Sequence, residues 1–546
     1  MKKRHLFWII PSGIVGLGLI VFLLGHLISP VKTMTLPKRS KDKKIITEKE
    51  MKKDLAYLKY YFENLYVAYD YMKEQGFDID AICDEIYQKT MKDINGRNEI
   101  ESQNFLNYMT ATVTRNFKNV DCHFGINGRS PQDYRTLYFS DIYIRAKKIG
   151  EETKYFVEKT QRDPIPQDML KNSTYLPVVE IPAGEEYTGP LSNLYEYFEG
   201  KEIIYRYCVF TDRNIKQANI SLNGQNVTIP VIPSISISAS QQFQGFKETK
   251  DTLYVSMSDF VFNNGSDDYE ELGKREFQKL CDAAREKSQG KKHIILDLRN
   301  NGGGSPIFRN ALFANILYNK SEMTEETIKI INSIGMDNEE LIFSPPIGVV
   351  YRHRIFYDIK KYFKNWKYRK TSEKYDFEIY RDYEDKIYSK PTRIFGLTSF
   401  FVPQRKYYVN PNYTTDRNLP KPDFQGDIYV LTNRYSASCS EYSLAMAYIF
   451  DKMDGITVHH IGENTCGAVS FVNPCSVVFP YSGGWIYIPT AWNKSQDFNH
   501  PNYKGESYGW YPEYWTSSFN LINTLSNLID DSELAETLKG LERHHL

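Results

Sequence analysis

Residues 293–306 read HIILDLRNNGGGSP. An apolar run, Ile294 to Leu296, closes on Asp297 and then on a polar turn with three consecutive glycines. A short run of that kind, bounded by glycine, reads as a strand buried on both faces, as parallel sheets require. A second strand, TLYVSMSDF, begins at Thr252, and an amphipathic helix carrying Leu272, Phe277, Leu280 and Ala284 lies between the two. Downstream the same order resumes. GDIYVLTN (426–433) is a strand, NRYSASCSE (433–441) a serine-rich turn, the following apolar run a helix, and GITVHHIGE (455–463) a strand. Strands alternating with helices predict an α/β layer. Its ligands gather where strands end at their carboxyl side.

Outward from this core the pattern changes. Residues 47–120 repeat apolar positions at helical spacing: Leu55, Leu58, Phe62 and Leu65, then Ile79, Ile82 and Ile86, then Leu106, Met109 and Val113. Residues 121–245 read as short strands with frequent turns, and SLNGQNV offers an Asn-Gly hairpin. The catalytic α/β core is expected over 246–520, interrupted by a tyrosine- and lysine-rich insertion at 310–424, which is either a lid or a solvated elaboration. A helical tail occupies 521–546. At the other end, residues 6–29 lack Asp, Glu, Lys and Arg, and a helix of that length spans a bilayer core. They predict one uncleaved transmembrane anchor, followed by a basic linker over 30–46. A large domain crosses the membrane despite flanking charge, so the catalytic part is expected outside the cytoplasm.

The chain has 546 residues, more than a single core accommodates. Its 68 basic and 68 acidic residues balance, which leaves no basic excess for a nucleic-acid partner. The seven cysteines are scattered, without the spacings of a zinc site or a disulfide scaffold, although Cys466 and Cys475 could pair across a hairpin. No H-E-x-x-H stretch occurs, so no metal and no cofactor is expected.

The two turns complement each other if they are neighbours. Glycines after Asn301 can present bare backbone N–H groups, a nest for negative charge. A serine opening the next helix adds further amides and the positive end of the helix dipole. Together they would make an oxyanion hole beside a hydroxyl nucleophile. A phosphate site could use the same parts, but G-x-x-x-x-G-K-[ST] is missing. Ser438 and Glu441 also fit a capping box, and one serine can fill both roles.

These stretches are ordered as in a known group. The sequence resembles the serine peptidases that include tricorn protease and the C-terminal processing peptidases. VDCHFGI (120–126), IILDLRNNGGG (294–304), VLTNRYSASCSE (430–441), HIGENTCG (460–467) and ESYGWYPEY (506–514) carry the resemblance. It implies a crotonase-like core of ββα units, a helical subdomain before it, and a PDZ-like module between them. By position it implies Ser438 as nucleophile, with the amides of Cys439 and Gly303 as the oxyanion hole. The processing peptidases draw their base from a lysine at the position of Ala468, so a Ser–Lys dyad is not expected. The tricorn-like branch uses a histidine at the position of His123, oriented by a glutamate at the position of Glu506 through a serine. That serine is Cys122 here, and a thiol is a weaker donor. His500 is the second choice of base; His459 and His460, adjacent on a strand, point to opposite faces. Asp297 and Arg299 read as a charge pair bracing the strand end.

The implied activity is a membrane-anchored serine peptidase that cleaves peptides or unfolded protein tails through an acyl-enzyme. The alternatives are an inactive member of the same fold that binds a ligand or peptide, and an esterase or amidase.

Overall fold

The computed structural model describes residues 43–117, 121–129, 136–162, 176–199, 202–211, 214–233, 243–261, 267–318, 324–334, 339–343, 376, 406–409, 419–516 and 521–541. The expected anchor at 6–29, the linker up to residue 42 and most of the 310–424 insertion lie outside these. No helix among the described residues is long and apolar enough to cross a membrane.

The helical subdomain starts at β1 (Ile45–Thr47) and runs through α1 (Glu48–Asn64), α2 (Tyr69–Glu74), α3 (Ile79–Ile94), β2 (Glu99–Glu101) and α4 (Ser102–Asn116). Its helix starts are written in the sequence. Thr47 and Glu50 form a capping box, and Asp78 accepts from the amides of Asp80 and Ala81. The apolar stripes bury as expected, except that in α4 Phe105 joins Met109 and Val113 in the core while Leu106 is only half-buried. Phe62, Tyr66, Phe77, Phe117 and Phe124 form one aromatic cluster, with Phe117 stacked on Phe124 at 3.8 Å. That cluster fixes the chain on either side of residues 118–123.

After β3 (Gly125–Ile126) comes an antiparallel sheet of β4 (Thr136–Ile149), β5 (Glu152–Thr160), β6 (Leu194–Glu199), β7 (Glu202–Thr211), β8 (Gln217–Leu222) and β9 (Gln225–Pro233). Its order is β6-β7-β4-β9-β8, with β5 also on β4. The hairpin from β8 to β9 turns at Asn223 and Gly224, both at positive φ, as an Asn-Gly turn demands.

The core contains β10 (Gly245–Glu248), β11 (Thr252–Ser256), α5 (Asp267–Ser288), β12 (His293–Asp297), α6 (Pro306–Leu317), α7 (Glu325–Ser333), β13 (Glu339–Phe343) and β14 (Lys406–Val409). It continues with β15 (Gly426–Thr432), α8 (Cys439–Phe450), β16 (Ile456–Gly462), β17 (Phe471–Val478), β18 (Trp485–Asn493), β19 (Tyr514–Trp515), α9 (Leu521–Leu528) and α10 (Leu534–Thr537). The main sheet runs β10-β11-β12-β15-β16-β19, all parallel except β10. Side chains alternate along it. Leu253, Ile294, Ile428 and Val458 pack on the face that holds α5, α6 and α8. Tyr254, Ile295, Tyr429 and Ile461 pack on the other face, against Leu521, Leu525, Ile529 and Leu534. The stretch expected as a tail therefore covers one side of the sheet. The insertion boundary expected at 310 falls inside α6, a buried core helix.

A second sheet, β14-β13-β18-β17, accepts β3 on β18. Phe471, Val477, Ile486 and Ile488 join it to the core of the helical subdomain. Tyr195 of the antiparallel module stacks on Trp515 of the main sheet at 4.2 Å.

Candidate active site

Parallel pairing of β12 with β15 sets Asp297 opposite Leu431, so the two special turns leave the same sheet edge side by side. They are stitched together. Asn433 and Asn300 exchange side-chain and backbone bonds at 2.9 and 3.0 Å. The hydroxyls of Ser436 and Ser440 donate to the carbonyls of Leu298 and Asn301, each at 2.7 Å, and the Ala437 amide donates to Asn301 at 3.0 Å. Two of the three motif serines thus serve to hold the turns together. Ser438 lies between them.

Ser438 sits just before α8 with φ +54° and ψ −118°. Few L-residues adopt that backbone, which costs about 1–3 kcal/mol and persists only where the surroundings impose it. A sharp strand-to-helix turn of this type lifts a side chain clear of the sheet edge. Gly303 shows why its own position must be glycine. A Cβ there would lie 2.7 Å from the Ser438 Cβ and 2.8 Å from the Cys439 amide nitrogen, with φ at +96° besides. The glycine turn is therefore pressed against the serine and the first amide of the helix. The Gly303 N–H donates to Asn301 Oδ1 at 2.9 Å, and the Cys439 thiol donates to the Gly304 carbonyl at 3.1 Å. Cys439 is buried, the small packed residue its position suggests. If the conformation at 438 is imposed for its chemistry, Ser438→Gly removes strain. Its melting temperature is expected to rise by about 2–4 °C; a lower value in a thermal melt would count against an imposed backbone.

Glu441 fixes the serine's amide. Its carboxylate, fully buried, accepts from the N–H groups of Ser438 (3.0 Å), Gly467 (2.8 Å) and Ala468 (2.6 Å) and from the Thr465 hydroxyl (2.6 Å). The G-E-x-T-x-G turn is therefore clamped to the helix start. Ala468, at the lysine position of the processing peptidases, is buried and contributes an amide.

The third segment is D-C-H, residues 121–123. Asp121 accepts from the amides of His123 (2.8 Å) and Phe124 (3.1 Å) and from the Tyr66 hydroxyl (2.9 Å). Glu506 accepts from the amides of Cys122 (3.1 Å), Val469 (3.2 Å) and Ser470 (2.8 Å). The substitution of cysteine for serine at 122 is thereby accommodated: Glu506 holds the loop through the backbone of Cys122, not through its thiol. That thiol instead donates to the Gly467 carbonyl at 3.2 Å. Since the Cys466 amide donates to Ser436 at 2.9 Å, the turn at 463–468 lies between the histidine loop and the serine loop and touches both.

The Nδ1 atom of the His123 ring is buried with no hydrogen-bond partner. Burial lowers the ring to about 4, and raises Asp121 to about 7 and Glu506 well above the usual carboxylate range. One potential ligand atom each from Asp121, His123 and Glu506 lies within 4.8 Å of the others. An ion would have to compete there with three donors on each carboxylate.

The other candidates are placed elsewhere. The His500 ring stacks on Tyr448 at 4.2 Å, ten residues along α8 from Ser438, about 15 Å at helical rise. His459 stacks on Tyr429, and His460 is buried against the Thr432 hydroxyl at 2.7 Å. Asp297 and Arg299 form a buried pair (2.9 and 2.6 Å), with the Tyr254 hydroxyl on Asp297 at 2.6 Å, and so brace the strand end. Cys466 is a free thiol, and it precedes β17, the strand that contains Cys475. The roles of Tyr66 and Glu441 had no sequence signal beyond the capping box.

No known family model and no curated protein sequence matches the chain. Among solved structures it is similar to mature CPAF complexed with lactacystin, at 13% identity and a TM-score of 0.44, covering 90% of this chain and 99% of that one. It is also similar to the photosystem II D1 C-terminal processing protease (12%, TM-score 0.28, 86% and 92% covered) and to tricorn protease (14%, TM-score 0.30, 89% and 37% covered).

Proposed function

We propose that the chain is a serine peptidase in which Ser438 attacks the scissile carbonyl and His123 is the base. What supports this reading is a serine held at positive φ with a glycine turn pressed on it, and a turn at 463–468 that touches both its loop and the loop carrying the His123 imidazole. Ser438 loses its proton to the neutral His123 ring as Oγ bonds to the carbonyl carbon. The oxyanion is received by the Cys439 amide at the helix start, and by the Gly303 amide once it leaves Asn301. His123 then protonates the leaving amine, and water repeats the sequence to release the acid. Glu506 and Asp121 position the loop through the backbone of Cys122 and His123. In this reading the core is crotonase-like, the antiparallel module stands where relatives have a PDZ domain, and residues 6–29 anchor the chain in a membrane. The substrate is a peptide or an unfolded protein tail. A fluorophosphonate probe followed by peptide mapping tests the reading. Attachment at Ser438 is expected; folded protein that takes up no probe would mark a binding protein instead.

A further inference from the structure

Two cysteines from distant parts of the chain meet beside the site. Cys122 immediately precedes His123, and Cys466 lies in the turn clamped by Glu441. The thiol of Cys122 lies 3.6 Å from the Cys466 carbonyl oxygen, 3.2 Å from the Gly467 carbonyl oxygen and 3.6 Å from Ser507 Oγ, so it rests on the backbone of the Cys466 turn. Both residues are free and partly exposed, within reach of a small oxidant. Of the other cysteines, Cys208, Cys281 and Cys439 are buried, and Cys83, partly exposed, lies in α3 of the helical subdomain.

We propose that Cys122 and Cys466 form a reversible disulfide that switches the Ser438 site off; the inhibitory half of this rests on the peptidase reading. A small disulfide such as oxidised glutathione supplies the oxidising equivalents. The Cys466 thiolate attacks one of its sulfurs, an S–S bond forms, and one thiol leaves. Cys122 then attacks the Cys466 sulfur, closing the internal bond and releasing the second thiol. The two thiol protons and two electrons of the protein end on two reduced glutathiones, so the exchange balances. Burial pushes the Cys122 thiol well above its ordinary range, which suits it to be the second sulfur rather than the first.

Bond formation must bring the two sulfurs to about 2.05 Å of each other. The loop carrying His123 moves with Cys122, and the turn carrying Cys466 is tied through Ser436 and Glu441 to the loop carrying Ser438. A displacement of about 1 Å between base and nucleophile costs on the order of a hundredfold in rate.

The test uses the full chain, oxidised glutathione, non-reducing peptide mapping and the rate of fluorophosphonate labelling. A crosslinked peptide joining 122 to 466 is expected. Labelling should slow about a hundredfold and recover with dithiothreitol, while Cys466→Ala labels at the same rate with or without oxidant. A chain that labels at Ser438 but never yields the crosslink overturns the proposal. So does a crosslinked chain that labels at full rate. A chain that crosslinks yet fails to label even when reduced upholds the disulfide and overturns the peptidase reading instead.

Discussion

A double variant of Ser438→Ala and His123→Ala is expected to turn over no more slowly than either single variant, each of which falls about a millionfold in kcat. Groups that act as one unit are grossly non-additive: once the hydroxyl is gone, the base has no proton to take. The measurement matters because more than three hundred positions separate the two residues, and the turn at 463–468 touches both of their loops. Additive losses would assign His123 to packing and leave Ser438 without this base. A pH profile provides an independent reading. The neutral imidazole is the competent form, and burial lowers its pKa to about 4. The acid limb of kcat/KM should therefore fall as pH drops through about 4, well below the ordinary histidine range. A limb near 6.5 would point to a base less buried than His123.

The strand–helix order and the adjacency of the two turns were legible because they rest on local signals. Apolar runs ending in Gly-rich or Ser-rich turns report strand ends, and parallel strands in sequence order pair as neighbours. Ser438 could be found from the same signal, with the glycines as its complement. The histidine could not be placed by periodicity. Its position depends on Phe124 inserting among Phe62, Tyr66 and Phe117, and on β3 joining β18, both long-range events. Nor did residues 521–541 announce that they cover a sheet face. Their apolar spacing fits any amphipathic helix, and only the exposed side of Tyr254, Ile295 and Tyr429 creates the need for them. The link from Glu506 to Cys122 was misleading in sequence for a different reason. A side-chain substitution suggested a weakened bond, but the bond is made by the backbone, which every residue carries.

Glu441→Gln is expected to destabilise the fold by about 4 kcal/mol and to abolish probe labelling, since two donors are left facing an amide NH2. The carboxylate spends all its acceptor capacity: Oε1 takes Thr465 and Gly467, and Oε2 takes Ser438 and Ala468. An amide has a single oxygen, and either flip opposes two N–H or O–H donors with two more. Glutamine is thus close to alanine in effect, unlike at an exposed cap, where it substitutes well. The protonated acid differs from glutamine, because its hydroxyl oxygen still accepts. Burial raises Glu441 to about 7 despite the donors. With a folded pKa above its ordinary 4.5, this group favours the fold most below about 4.5, and the advantage is lost as pH rises through about 7. Urea denaturation at pH 5 and pH 8 separates these terms. The wild-type chain should lose stability between the two, and Glu441→Gln should lose less, having nothing to ionise there. A glutamine variant as stable as the parent at both pH values would mean that the four donors are satisfied elsewhere. The clamp that seats Ser438 would then not be Glu441.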